Sequence, residues 1–340
     1  MLTIAYFTSR LEPRIDWFFD SLHRELAGDY TGIRIVVVDF WAQVMPAAIP
    51  RDGMPTLPWR EDNVRERRTE IRSAFYNGFG GGEKTFEFWH VPPKPTPWQG
   101  PFRRTKRDWF SAANTRNTAI CLAPDGWIAF VDDLSVLTPG WMSRVRAAWE
   151  GSNREITLGA YRKVKNLSVT DGAITGFDDF PEGWDGRWKQ TGDQDLFSAP
   201  GGWLFGCSLV APVDAFLDIN GYPEAWCDGL GFEDCIAGVL LEKKGYRFVY
   251  DRKMLTLEDE DLHYQLPKMV KSDYGVSPND KSHRVLGQAL TSDGWHPNFF
   301  GDETLRGLRA RVLAGEPFPV NQLPEHEFFT GTPLDQLEPN

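Results

Sequence analysis

Trp127-Ile128-Ala129-Phe130-Val131-Asp132-Asp133 is the stretch that decides the architecture. An apolar run of this length, closed by two adjacent carboxylates, reads as a central strand buried on both faces. Upstream, Phe110 to Leu122 reads as a helix. Downstream, Thr138 is expected to cap a helix with Pro139 in its first turn, running to about Trp149. Further out, Leu2 to Phe7 reads as a short buried strand and Ile15 to Leu26 as a helix, with apolar residues at Ile15, Trp17, Phe18, Leu22 and Leu26. The β-branched run Ile33 to Val38 then ends in Asp39. Strand, helix, strand at this spacing is a βαβ unit with a parallel pair, so the sequence predicts an α/β fold.

The remainder of the chain is read more coarsely. Pro46, Pro50, Pro55 and Pro58 argue for a loop, Asn63 to Phe75 for a charged helix, and Thr85 to Trp89 for a further strand. Val91 to Pro101 is too rich in proline for regular structure. Ile156 to Val164 is expected as a strand, residues 165–200 as irregular structure or a hairpin excursion, and Trp203 to Val210 as a strand introduced by Gly201-Gly202. A short helix over Val213 to Leu217 leads to the turn Asn220-Gly221. Phe232 to Lys244 reads as a helix stopped by Gly245, and Tyr246 to Tyr250 as a final strand.

Composition narrows the class. The chain has 340 residues, is 41% hydrophobic and 25% charged, and carries a formal charge of −11, which disfavours broad non-specific nucleic-acid binding while leaving room for a local basic groove. No apolar stretch is long enough to span a bilayer, and the N-terminus lacks the basic start and cleavage site of a signal peptide, so a cytoplasmic protein is expected. Cys121, Cys207, Cys227 and Cys235 form no C-x-x-C pair, which argues for packed thiols over zinc or disulfides.

Two strand ends carry acids, Asp39 and Asp132-Asp133. In open α/β sheets ligands sit beyond the carboxyl ends of the strands. A carboxylate pair there is costly unless a cation or hydrogen-bond donors neutralise it, and a divalent metal bridging a diphosphate would do so. A bland alternative is that one acid merely caps a turn.

The central block also resembles a known family. Ser111-Ala112-Ala113-Asn114-Thr115-Arg116-Asn117-Thr118-Ala119-Ile120, followed by Trp127 to Asp133 and Pro139-Gly140-Trp141, is similar to the helix, strand, acidic turn and Pro-x-Trp of family-2 glycosyltransferases. Gly201-Gly202, Asn220-Gly221-Tyr222, Trp226 to Gly231 leading into Phe232-Glu233-Asp234, and Gly245-Tyr246 resemble that family's acceptor-side block. The resemblance runs to about His263. It implies a GT-A fold, a Rossmann-like mixed sheet flanked by helices, over residues 1–265, with a nucleotide-sugar half to residue 140 and an acceptor half beyond. Residues 266–340 are expected to be an extension packing on or near the site.

The implied activity is inverting, metal-dependent transfer of a sugar, a hexose by expectation, from a nucleoside-diphosphate donor, with a UDP-sugar favoured and Mn2+ or Mg2+ as the cation. Asp39 would accept from the nucleobase, Asp132 and Asp133 would hold the donor and the metal, and Arg116 would reach the diphosphate or brace the acidic turn. The usual third acid of that turn is Leu134 here, so either aspartate or both could be the ligand. His263 stands where relatives place another metal ligand; its alternative reading is a surface histidine in the acidic stretch Glu258 to Asp261. Asp234, beside Glu233 at a helix start, would be the base that takes the acceptor's proton. Gly201 and Gly202 would allow close approach to the sugar, and Trp203, Trp226 and Phe232 would wall the acceptor site. The basic cluster Arg103, Arg104, Lys106 and Arg107 could hold an anion. The acceptor is left open among a glycan, a small molecule and a modified nucleic-acid base. The competing readings are a retaining transferase and a binding module without turnover.

Overall fold

The computed structural model describes residues 1–43, 60–79, 87–94, 112–224, 232–265, 289–291, 293–294 and 304–318, with side chains in the fifth of these stretches described to residue 262. The predicted class is observed: one mixed sheet of ten strands flanked by helices. In chain order the elements are β1 (Leu2–Thr8), α1 (Ile15–Leu26), β2 (Ile33–Asp39), α2 (Glu61–Phe79), β3 (Glu87–Val91), α3 (Ala112–Leu122), β4 (Trp127–Asp132), β5 (Ser135–Leu137), α4 (Trp141–Trp149), β6 (Glu155–Thr170), β7 (Ala173–Asp178), α5 (Trp188–Thr191), β8 (Leu196–Ala199), β9 (Ser208–Pro212), α6 (Val213–Asp218), α7 (Glu233–Lys243), β10 (Arg247–Asp259), α8 (Glu260–Gln265) and α9 (Leu305–Leu313). The sheet runs β3-β2-β1-β4-β9-β6-β10-β5, with β7 on β6 and β8 on β10.

Strand alternation explains why the sheet is covered on both sides. Leu2, Ile4 and Tyr6 of β1, Ile35 and Val37 of β2, and Ala129 and Val131 of β4 face a core shared with α1, α2 and α4. Ala5 and Phe7, Val36 and Val38, and Ile128 and Phe130 face the opposite core, shared with α3, α6, α7 and α9. The period of two in side-chain direction thus feeds two apolar layers from one run of sequence. Strands β1, β2 and β4 pair in parallel, and the register sets Asp39 opposite Thr8 and Asp132 opposite Phe7. Both strand-end acids therefore stand at one edge of the sheet, on either side of β1.

Several local expectations are corrected. Thr138 does not cap α4: its hydroxyl donates to the Leu255 carbonyl at 2.9 Å, Gly140 occupies the N-cap, and Glu25 of α1 accepts from the amides of Gly140 and Met142. A carboxylate from another helix thus satisfies the orphan N–H groups. Gly201–Trp203 is a 3₁₀ turn, and the strand expected from Trp203 begins at Ser208. The last strand extends to Asp259, and the acids read as a surface stretch are enclosed, since Glu258, Asp259 and Glu260 are all buried. Residues 165–200 do contain the expected hairpin, β6 with β7.

From Ala113 to Leu122, α3 is buried on every side. Each of its polar side chains makes at least one hydrogen bond. Asn114 donates to the Lys94 carbonyl, and Asn117 donates to the Tyr222 carbonyl and to Glu224 while accepting from the Tyr222 amide. A Cβ on Gly221, whose φ is +83°, would lie 2.4 Å from Asn117 Oδ1, so this turn requires glycine. Within the extension, α9 docks here: the Leu305 amide donates to Asn220 and Arg309 donates to the Ala123 carbonyl.

Candidate active site

The acids at the end of β4 open into a cleft of about 190 Å³ lined by Phe7, Ser9, Arg10, Ala112, Thr115, Arg116, Asp132, Asp133 and Glu258. The chain reverses sharply after Asp133. Leu134 has φ +61° and is fully buried, so the third position of the acidic turn points into the core and supplies no ligand. Strain of this kind in a non-glycine residue persists only where the surroundings hold it, here with the Leu134 amide bonded to the Pro13 carbonyl.

The two aspartates differ. Asp133 is engaged at both oxygens, by Arg10 Nε at 2.9 Å and by the Thr8 hydroxyl at 2.9 Å. Asp132 is 36% exposed at its side chain and receives a single long contact, 3.4 Å from Arg116 Nη2. Burial pushes both carboxyls upward against their arginines, and Asp133 and Asp234 add to the rise at Asp132. Glu258, on β10, is pushed up to about 8 by burial, with Lys163 opposing and the charges of Asp132 and Asp133 adding. Three carboxyl groups thus share the cleft lining with two arginines, and burial opposes ionising all three together without a further cation.

A hard divalent cation fits that donor set. Such ions are held by one or two carboxylates plus substrate phosphates and water. Asp132 and Glu258 supply oxygens here, and among the described residues no three acids, histidines or cysteines close into a preformed cage. The side chain of His263 lies outside the described residues.

Arg116 joins this cleft to the second motif. Its Nη1 lies 2.5 Å from Glu233 Oε1, while its Nη2 faces Asp132. Glu233 is buried and raised to about 7 by burial and by the neighbouring Asp234, with Arg116 opposing. Asp234 is less buried. Its oxygens accept from the amides of Gly206, at 3.1 Å, and Cys235, at 2.7 Å. Gly206 is pinched between the two, because a Cβ there would stand 1.8 Å from Arg116 Nη2.

The remaining expected site residues are placed as follows. Asp39 is fully buried and occupied: it accepts from Arg67 Nε at 2.7 Å and from the Trp41 amide at 3.0 Å, and His90 Nε2 lies 3.0 Å away. Burial alone would raise it, but His90 and Arg67 together hold it below the usual carboxylate range. In this conformation Asp39 presents no open face to a nucleobase. Arg67 also donates to the carbonyls of Arg10 and Leu11, tying Asp39 to the loop that carries Arg10. Gly201 serves close packing: its would-be Cβ meets the Gly238 carbonyl at 2.2 Å, whereas one on Gly202 would find only Val239, at 3.9 Å. Trp203 stacks on Phe197 and meets Tyr250 edge-on. Phe232 is exposed, with φ +69°. Trp226 and the cluster Arg103 to Arg107 lie outside the described residues.

Sequence reasoning missed Arg10, Arg67 and Glu258. Arg67 had a signal, since it falls in the stripe Val64, Arg67, Ile71, Phe75, Phe79 that α2 buries, and a lone cation on an apolar face asks for a buried anion.

The raised carboxyls give a pH prediction. Glu233 and Glu258 bind protons more tightly folded than unfolded, so their contribution to stability is complete below about pH 4.5 and is lost as pH rises through 7 to 8. Without divalent cation, the melting temperature is expected to fall between pH 5.5 and pH 8, by an amount on the order of a few kcal/mol of stability. Manganese should raise it more at pH 8 than at pH 5.5, because metal and proton compete for the same oxygens. A metal-induced shift independent of pH would contradict this.

No protein-family model and no curated protein matches this sequence. Among solved structures, it is similar to GalNAc-T7 with UDP, GalNAc and Mn2+ (TM-score 0.47, 10% identity, covering 85% of this chain and 48% of that one). It is also similar to S. aureus TarS (0.46, 12%, 86% and 40%) and to TarS 1–349 in complex with UDP-GlcNAc (0.49, 13%, 86% and 67%). The chain spans half or less of the GalNAc-T7 and full TarS chains.

Proposed function

We propose that this chain is a glycosyltransferase that moves a sugar from a nucleoside diphosphate to an acceptor hydroxyl with inversion, using a divalent cation, and with a UDP-sugar as the favoured donor. The observation that carries the reading is the Arg116 bridge. It joins the strand-end acid Asp132 to Glu233 of the Glu-Asp motif, so two motifs a hundred residues apart serve one cleft at the carboxyl edge of the sheet.

The roles follow from the surroundings of each group. Asp132, the more open aspartate, is assigned to the cation, with Glu258 beside it. Asp133 instead fixes Arg10 at the cleft wall, where the guanidinium can meet a phosphate oxygen. When bound, the cation would offset charge gathering on the departing diphosphate. Asp39 is assigned an organising role in the base pocket through Arg67 and His90. Glu233 is committed to Arg116, which leaves Asp234 as the base. It accepts the acceptor's proton as the acceptor oxygen bonds to the anomeric carbon and the bond from that carbon to the diphosphate breaks.

A donor screen tests the reading. Purified protein with manganese is mixed with each nucleotide-sugar, and release of the nucleoside diphosphate is recorded. Metal-dependent release from one donor, lost in Asp132→Asn and retained at least in part in Asp133→Asn, is the expected result. Release unaffected by chelator, or absent with every donor, would overturn it.

A further inference from the structure

A second concavity lies at the same edge of the sheet, beyond the cleft. It is an open groove of about 960 Å³ between α2 and the carboxyl ends of β2 and β3. Arg65, Arg68, Arg72 and Tyr76 line it from α2, and Phe88 and His90 line it from β3. The spacing of three, four and four residues puts the three guanidiniums and the phenol on one helix face, about one turn apart. The acids of α2 are distributed unevenly around it. Glu61 lines the groove, whereas Glu66 and Glu70 do not. Among the described residues, Arg65 is paired with Asp62, Arg68 reaches only the Ala42 carbonyl, and Arg72 has no carboxylate partner. This face is basic on a chain whose formal charge is −11. A polyanion is repelled by most of such a surface and is drawn to the groove.

The aromatic content of the groove narrows the choice of polyanion. Tyr76 is 51% exposed and stands in the arginine row, with its ring edge-on to Phe75 and about half of the residue left open. Arginines spaced along a groove with an exposed ring among them are what a single nucleic-acid strand requires, with cations for the phosphates and a ring face for a base. A phosphate polymer without rings would leave Tyr76 without a function.

The groove is also wired to the cleft. His90 lines the groove and contacts Asp39. Asp39 is held by Arg67, which donates to the Arg10 carbonyl, and Arg10 is paired with Asp133 at the cleft. We propose that the Arg65-Arg68-Arg72-Tyr76 face of α2 binds a single-stranded nucleic-acid chain, and that this strand is the acceptor of the sugar. The second half of this statement rests on the transferase reading above; the first half does not.

The test uses the full chain and a fluorescein-labelled twelve-residue oligothymidylate, followed by anisotropy across a salt series. Measurable binding at low salt is expected. Replacing the three arginines with glutamine should flatten the slope of log affinity against log salt by about 2, at roughly 0.7 per phosphate contact on a single strand. Tyr76→Ala should weaken the oligonucleotide by about 5- to 100-fold while leaving competition by inorganic polyphosphate unchanged. Absence of oligonucleotide binding, or a triple variant that binds like the parent, would overturn the proposal. Polyphosphate competing as well as the oligonucleotide, with Tyr76→Ala silent, would overturn it in favour of a phosphate polymer without bases. A matched duplex binding more tightly would overturn the single-strand assignment. Metal-dependent affinity for UDP, measured on the same variants, is expected to equal the parent's. Failure of UDP binding in the parent would refute the transferase reading and leave the groove result standing.

Discussion

Asp234→Asn is expected to lower sugar transfer by roughly two to four orders of magnitude, the usual contribution of a positioned general base, with donor affinity close to the parent's. The separation follows from geometry. The acids assigned to the donor, Asp132 and Asp133, sit at the end of β4, whereas Asp234 sits in the first turn of α7, where its oxygens accept from the amides of Gly206 and Cys235 and meet the Cys235 thiol. Asparagine offers one acceptor oxygen where aspartate offered two, so one of those amides loses its partner. That costs about 1 kcal/mol, which is small beside the loss in rate. The signature is therefore a fall in kcat with little change in the dissociation constant of the nucleotide. Glu233→Gln should behave differently, because Glu233 is bonded to Arg116: glutamine keeps an oxygen for the guanidinium, and the rate should fall less. Nucleotide affinity by calorimetry and single-turnover transfer, measured on both variants, decide the matter. A transfer rate in Asp234→Asn near the parent's would remove the base assignment and favour a retaining mechanism.

How much of this was legible in the sequence varied with the kind of information each residue carries. The parallel strands were readable because apolar runs such as Ile33 to Val38 and Trp127 to Val131 announce burial on both faces, and the acids ending them announce the working edge. The departure at Leu134 was visible too, and its αL conformation in the core now explains why no third acid stands there. Partnerships were not readable. Nothing local in Asp39 tells that its oxygens are taken by Arg67 and His90 from distant elements, and nothing in Asp133 tells that Arg10 and Thr8 hold it. Glu258 was hidden for a related reason. In a strand that continues past its apolar run, alternation carries an acid to the cleft, and a cluster of acids reads from sequence as a solvated surface. Gly201 was ambiguous in another way, because backbone packing against Gly238 and close approach to a sugar call for the same residue.

Arg116→Met is expected to be the most damaging single change to the folded state, costing about 3–5 kcal/mol, because it leaves a buried carboxylate without its cation. Arg116 is 4% exposed, and its guanidinium lies against the rings of Phe7 and Tyr222 while it bonds Glu233 and faces Asp132. Methionine fills much of that volume, so the loss is electrostatic more than steric. The cost should depend on pH. Glu233 is already raised to about 7 with the arginine present, and without it the carboxyl rises further. At pH 6 the variant can relieve itself by keeping Glu233 protonated, whereas at pH 8 that proton must be held against solution or the charge left buried, so the gap from the parent widens with pH. Glu233→Gln placed on the same background removes the orphaned charge and should restore a large part of the stability, a coupling that single variants cannot reveal. Activity should not return with it, because the tether between Asp132, the acid assigned to the cation, and the start of α7 is still missing. Urea unfolding at pH 6 and pH 8, with transfer measured on the folded double variant, separates these outcomes. A double variant no more stable than Arg116→Met would mean that the guanidinium acts through its packing against Phe7 and Tyr222. Full recovery of transfer would mean that the bridge stabilises the fold without organising the chemistry.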